Sequence, residues 1–241
     1  MKNNMNISIV IPAYNEKENI EEVISNSIEV LSAIANKYEV ILVDDGSVDG
    51  TYEVAEDLVQ RNPDCVRVLR HNTNQGYGAA LKTGFSVVRY EYIFYTDADN
   101  QFDMFELKDF LPMMKRYDLA VGYRVKRKDS PVRIFLSWGY NWLVFFLFQI
   151  KVRDVDCAFK LFHRYVLESI TIECNDFFVD TEIIAKAGKA GFRIGERGVC
   201  HFPRKRGKTT VRLSHIPETL KTVFKMRKRL NMERKTKNSK E

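Results

Sequence analysis

Hydrophobic residues in the first half of the chain form short unbroken runs, separated by longer stretches in which they recur every three or four positions. The runs are Ile7–Pro12, Glu39–Val43, Val66–Arg70, Tyr92–Tyr95 and Leu119–Tyr123. Each is rich in β-branched or aromatic residues and closed by turn formers, which predicts buried strands. Between them, Glu18–Asn36 places Ile20, Val23, Ile24, Ile28 and Leu31 on one helical face. Helices are also predicted over Tyr52–Gln60, with Asp49 or Thr51 as cap, over Ala79–Tyr90, and around Glu106–Met114. Strands alternating with helices predict an α/β fold, a mostly parallel sheet flanked by helices with right-handed crossovers.

The polar residues that break this pattern gather just beyond strand ends. Pro12-Ala-Tyr14-Asn-Glu16, Asp44-Asp45-Gly-Ser, Gly76-Tyr-Gly78 and Asp97-Ala-Asp99 all follow a strand. That puts them on one edge of the sheet, where open α/β sheets bind ligands. In an extended chain Asp97, Asp99 and Gln101 face one side. Three oxygen-bearing side chains suit a hard cation, Mg²⁺ or Mn²⁺, bridging to the phosphates of a substrate. An aspartate on such a loop can accept from an NH of uracil or guanine while Tyr14 lies against the base. Glycines at 76 and 78 let backbone approach a ligand. Each motif has a plainer alternative, an acidic turn or a turn with a cap, but four of them in sheet order point to a site.

Taken together, Val10-Ile-Pro-Ala-Tyr-Asn-Glu16, Val43-Asp-Asp-Gly-Ser-Val-Asp-Gly-Thr51, Asn74-Gln-Gly-Tyr-Gly-Ala-Ala80 and Asp97-Ala-Asp-Asn-Gln101 resemble the family-2 glycosyltransferases of GT-A fold. They are most similar to the polyprenyl-phosphate hexose synthases, the dolichol-phosphate mannose synthase group, over the chain to about Lys225. The resemblance implies that Pro12, Tyr14, Glu16, Asp44 and Asp45 hold a nucleotide. It also implies that Asp97, Asp99 and Gln101 hold the metal on its diphosphate. A dehydrogenase is disfavoured, because no Gly-x-Gly-x-x-Gly follows the first strand.

The second half reads as an acceptor side. Gly122-Tyr-Arg124 leaves the fifth strand, and Pro131-Val-Arg133 opens an uncharged run of 17 residues, Ile134–Ile150, with seven aromatics, Trp138 and Trp142 among them. The run is at the short limit for a membrane span, and Ser137 and Asn141 share one helical stripe. It reads either as a helix lying in a bilayer interface, aromatics at headgroup level, or as a core helix. Arg153-Asp154-Val-Asp156-Cys-Ala-Phe-Lys160 resembles the acceptor-loop motif of the same group, with Cys157-Ala158 where relatives often carry Ser-Gly. Asp180, near the start of a helix opening at Phe177, is either a cap or an active-site acid. The basic stretch Pro203–Val211, with Arg204 and Arg206, resembles the mobile loop that closes over the diphosphate. A basic helix, Glu218–Leu230, follows.

Composition fits one generous domain. At 241 residues the chain can bury a core without staples. Residues 1–123 read as the nucleotide-sugar half, 124–225 as the acceptor and membrane-facing half, and 226–241 as a basic tail. Four scattered cysteines give no zinc or disulfide framework and suit a reducing cytosol. Polar Met1–Asn6 runs straight into a strand, so no exported leader is expected. The net charge of +6 is uneven: residues 204–241 carry 14 Lys and Arg against 3 Glu, leaving the preceding body slightly acidic. A basic end implies an anionic partner, membrane lipid, nucleic acid or phosphorylated substrate, or else a solubilising tail, the reading preferred for Arg234–Glu241; a membrane surface and no nucleic acid are expected.

The expected reaction is metal-dependent hexose transfer from a nucleoside diphosphate sugar, of GDP-mannose or UDP-glucose type, to a polyprenyl or dolichyl monophosphate. The resemblance implies inversion. Arg124 and Arg133 are the candidates for the acceptor phosphate, and Arg204 or Arg206 for the donor. Two alternatives stand beside it. One is transfer to a saccharide hydroxyl, with Asp156 or Asp180 as general base. The other is a non-catalytic module that binds nucleotide sugar or membrane. The expected location is peripheral, on the cytosolic face of a membrane.

Overall fold

Residues 7–13 are buried without a break, as are 39–44, so both stretches lie deep in a sheet covered on two faces. The computed structural model describes residues 5–125, 131–204, 206, 223 and 227, and of residues 131–138 it describes the backbone alone. Seven strands form one sheet: β1 (Asn6–Ala13), β2 (Lys37–Asp44), β3 (Val66–Arg70), β4 (Tyr92–Thr96), β5 (Leu119–Val125), β6 (Phe159–His163) and β7 (Ile194–Cys200). Their order is β3-β2-β1-β4-β6-β5-β7. Strands β1 to β4 run parallel, and β6 lies antiparallel between β4 and β5. As a result the C-terminal ends of β1 to β5 and the N-terminal end of β6 share one edge.

Helices α1 (Ile20–Ile34), α2 (Thr51–Arg61) and α3 (Tyr77–Ser86) are the crossovers of the first half. The α1 stripe is buried at Ile20, Val23, Ile24 and Leu31, as its spacing predicts. The helix expected around Glu106–Met114 is instead two 3₁₀ turns, Met104–Asp109 and Leu111–Lys115. Pro112 has no N–H to continue an α-helical ladder, and Asp103 caps the first turn by accepting from Phe105 N at 2.9 Å. In the second half, α4 (Pro131–Phe148), α5 (Arg164–Glu168) and α6 (Val179–Lys189) complete the chain of elements.

Helix α4 has two different sides. Val144 is buried and Tyr140 reaches α6, its Oη 2.7 Å from Thr181 Oγ1. Trp142 and Phe146 face outward, 57% and 49% exposed, with ring centroids 4.2 Å apart. Val223 is buried, and Arg227 donates to the carbonyls of Phe146 and Leu147 at the end of α4. Among the described residues, no helix is long and apolar enough to cross a membrane.

Candidate active site

The loops after β1 and β2 are laced together by hydrogen bonds. Asn15 N donates to Ser47 Oγ at 2.8 Å, Val48 N to Asn15 Oδ1 at 3.0 Å, and Glu16 N to Thr51 Oγ1 at 2.9 Å. Pro12 closes this strand end and Tyr14 stands half-buried on the loop beyond it. Within the aspartate pair the two side chains do different work. Asp44 is wholly buried, and its Oδ2 carries no hydrogen bond, with only Arg70 Nε at 3.4 Å. A buried carboxylate oxygen left unsatisfied is costly, and a donor from a ligand would relieve it.

Asp45 is held by the protein itself. Its two oxygens accept from His71 Nδ1 at 2.6 Å, Gln75 N at 2.9 Å and Gly76 N at 2.8 Å. It therefore holds the loop ahead of α3, with His71 braced in turn by Thr83. Gly76 and Gly78 serve a different neighbour than expected. A Cβ on Gly76 would stand 2.3 Å from the carbonyl oxygen of Asn175, and one on Gly78 2.5 Å from that of Cys174. The close approach is to the 174–176 segment, whose Asn175 carbonyl accepts from Gly78 N at 2.8 Å.

Strand β4 ends at Thr96, and the chain then turns instead of staying extended, with Asn100 at φ 57°. Alternation therefore fails to place Asp97, Asp99 and Gln101, although the turn still gathers them. Asp97 Oδ1 accepts from Tyr77 Oη at 2.9 Å, and Asp99 Oδ1 from Gln101 N at 3.2 Å. Gln101 Nε2 donates to the carbonyl of Phe202 at 2.8 Å, which leaves its Oε1 without a hydrogen bond among the described residues. Burial pushes the pKa of both carboxyls up, and the neighbouring Asp99 and Asp180 charges add to the effect at Asp97. Such a pair gains from a cation. Among the described residues no group of three acidic, histidine or cysteine side chains is assembled. The protein thus offers two carboxylates and an amide oxygen, and a hard divalent ion fits only if phosphate and water complete its shell.

Arg204 sits over this edge. It is ion-paired to Glu16, its Nε donates to the carbonyl of Arg206 at 2.8 Å, and its charge lowers the Asp99 pKa. Arg206 donates to the Glu18 carbonyl at 3.3 Å. The remainder of the basic glycine loop lies outside the described residues, as does most of the expected Glu218–Leu230 helix.

On the acceptor side the expectations divide. Arg124 is ion-paired: its Nε and Nη2 donate to Asp154 at 2.6 and 2.7 Å, so that edge of its guanidinium is engaged. The side chains of Arg133 and Ser137 lie outside the described residues. Asn141 accepts from Val155 N at 3.1 Å, which ties α4 to the Asp154–Asp156 loop. Asp156 is half-buried with no hydrogen bond among the described residues, and its carboxyl is pushed up to about 7 by burial and by the charges of Asp180 and Asp154. Asp180 is neither a cap nor a free acid. Phe178 occupies the cap position, and Asp180 accepts both Lys160 Nζ and Tyr95 Oη.

Lys160, unassigned from the sequence, is wholly buried on β6, with its ammonium also donating to the Cys157 carbonyl at 2.7 Å. The signal was a lone lysine inside the apolar Phe159-Lys-Leu-Phe162, since a buried ammonium needs a paired acid. Tyr77 was likewise unassigned, and its ring stacks on half-exposed Phe177, with centroids 5.4 Å apart.

Comparison with known proteins fits this arrangement. The archaeal glycosyltransferase AglD of Haloferax volcanii is 34% identical over 208 residues, covering 82% of this chain and 33% of that protein. Dolichyl-phosphate beta-glucosyltransferase ALG5A of Trichomonas vaginalis is 32% identical over 206 residues, covering 79% and 64%. The chain thus spans a third of the first relative and just under two thirds of the second. Glucosyl-3-phosphoglycerate synthase of Mycobacterium tuberculosis, solved with Mn²⁺, uridine diphosphate and phosphoglyceric acid, superposes with a TM-score of 0.70 at 18% identity, over 91% of this chain and 76% of that one. That likeness is one of fold, the GT-A arrangement expected from the sequence. The family model for Glycosyl transferase family 2 matches residues 8–171, from β1 to beyond β6. Since that is well over half of its length, the chain belongs to glycosyl transferase family 2.

Proposed function

We propose that the protein transfers a hexose from a nucleoside diphosphate sugar to a polyprenyl or dolichyl monophosphate at the cytosolic surface of a membrane. The observation that carries this reading is the grouping of Asp97, Asp99 and Arg204 at one sheet edge, between the unsatisfied Asp44 Oδ2 and the aromatic helix α4. Asp44 accepts from an NH of the base, and Tyr14 lies against its ring. Asp97, Asp99 and Gln101 would hold Mg²⁺ or Mn²⁺. A divalent ion there supplies neutralisation of charge growing on the departing diphosphate. Arg204, released from Glu16, takes the phosphates with Arg206 beside it, since a guanidinium binds phosphate through two parallel N–H bonds.

The acceptor phosphate has a second pKa near ~6, so it attacks already ionised and needs no base. What it needs is cations, and Arg133 stands as the candidate now that Asp154 occupies Arg124. Arg124 instead fixes the Asp154–Asp156 loop. The lipid reading is supported by relatives whose names are dolichyl-phosphate glucosyltransferases and by the outward Trp142 and Phe146. A donor panel of UDP-glucose and GDP-mannose, assayed against a short polyprenyl phosphate in detergent with Mn²⁺ and after chelation, tests the reading. We expect transfer with one donor and none without metal; transfer to a soluble sugar alone would overturn it. Unpaired Asp156, near neutral pKa, is the one observation favouring that second reading, in which it serves as general base to a hydroxyl.

A further inference from the structure

Asp154, Asp156 and Asp180 lie on the acceptor half of the site edge, and Asp97 and Asp99 follow β4 on the donor side. Electrostatic coupling links Asp180 with Asp97 on one side and with Asp156 on the other. On the lipid-phosphate reading, an incoming phosphate dianion approaches Asp154, Asp156 and Asp180. Asp154 is matched by Arg124, and Asp97 and Asp99 belong to the metal and donor side. Asp180 is matched from beneath by Lys160, which no described solvent path reaches: Lys160 is fully buried and Asp180 nearly so. The pair is built in. Lys160 Nζ is held by the Cys157 carbonyl at 2.7 Å and lies 5.2 Å from the centre of the Tyr95 ring, while the Tyr95 hydroxyl donates to the same Asp180 oxygen. Thr181, next to Asp180, bonds Tyr140 of α4, so the pair lies between the metal-binding turn and the acceptor helix.

We propose that Lys160 is a positioning residue for the acceptor phosphate: by neutralising Asp180 it removes one fixed negative charge from the side on which the incoming dianion arrives. The inference rests on the lipid-phosphate reading above. Lys160 touches neither substrate. It acts through Asp180, by keeping a fixed negative charge from repelling a doubly charged nucleophile in a site of low dielectric. A merely structural ion pair would lower stability and weaken every ligand together. A charge-balancing pair has a sign instead: removing the cation weakens acceptor binding, and removing the anion strengthens it.

The test is binding of farnesyl phosphate to the full chain in detergent by calorimetry, with UDP and GDP titrated in parallel in Mn²⁺ and thermal midpoints recorded. Lys160→Met should weaken farnesyl phosphate about tenfold or more, with the nucleotide affinity little changed. Asp180→Asn should tighten it, and unchanged affinity there counts against the inference. The double variant Lys160→Met with Asp180→Asn, which keeps the net charge of the site, should return close to wild type. If Lys160→Met does not fold, the opposite sign in Asp180→Asn still decides. Weaker farnesyl phosphate binding in Asp180→Asn, or parallel loss of both ligands in step with the thermal midpoint, overturns the inference alone. A wild-type chain that binds nucleotide but ignores farnesyl phosphate overturns the acceptor assignment, and this inference with it.

Discussion

Single residues in this site are constrained by what else they could bond. The place of Asp97 and Asp99 just past a buried strand was legible from sequence, because the aromatic run of β4 breaks off abruptly into acids. The paired Asp44 and Asp45 were not separable, since which of two adjacent carboxylates meets backbone N–H groups depends on a loop some thirty residues away. The ion pair of Arg124 with Asp154 was hidden for the same reason, its partner being remote in sequence. Replacing Asp99 by alanine should lower transfer by about a hundredfold or more, without lowering the thermal midpoint, because it removes a carboxyl that burial already disfavours. Unchanged activity in that variant would remove Asp99 from the metal site.

Asp156 gives a pH-dependent counterpart at the same scale. Its folded pKa of about 7 lies above the ordinary carboxyl value, so its contribution to stability is complete in acid and is lost as pH rises through 7. Asp156→Asn should therefore stabilise the protein at pH 8 by about 1–2 kcal/mol, after allowance for partial exposure. The gain should shrink towards pH 5. A denaturant midpoint that shifts equally at both pH values would contradict the assignment.

Elements were legible where pattern and environment agree. The parallel strands β1 to β4 announce themselves as continuous apolar runs, and α1 by its stripe. Two strands escaped. Strand β6 carries Lys160 in its interior, which breaks an otherwise apolar pattern, and β7, Ile-Gly-Glu-Arg-Gly-Val-Cys, has the charge and glycine content of an edge strand. The α3 entry shows how one element depends on another: Gly76, at φ 103°, lies under the Asn175 carbonyl. Gly76→Ala should cost about 1–3 kcal/mol and displace the loop held by Asp45, weakening nucleotide binding as well as stability. Calorimetry of both would show it; nucleotide affinity unaltered at lowered stability would mean the loop does not reach the donor.

For the whole molecule, the proposed membrane contact can be divided into an apolar and a basic contribution. Trp142 and Phe146 contribute about 25 cal/mol per Å² of apolar surface inserted, and each Lys or Arg near anionic lipid about 1 kcal/mol. Salt screens the second contribution and not the first. Sedimentation with anionic vesicles should therefore show partial release at high salt, and near-complete release when Trp142 and Phe146 are both made aspartate. Binding left intact by that double substitution would place the membrane contact elsewhere.

The antiparallel insertion of β6 sets the order in which this chain can be assembled. A ribosome releases β5 before β6, yet β5 has no place beside β4 until β6 arrives between them. Until then β4 ends the nascent sheet with an open edge, and β5 waits without a neighbour, the situation in which strands pair wrongly. Residues 1–123, expected from the sequence to form a nucleotide-sugar half, therefore cannot close their own sheet, however self-contained their motifs look. A fragment ending at residue 123 should aggregate when made alone, and two fragments divided within residues 126–130 should become soluble only when synthesised together.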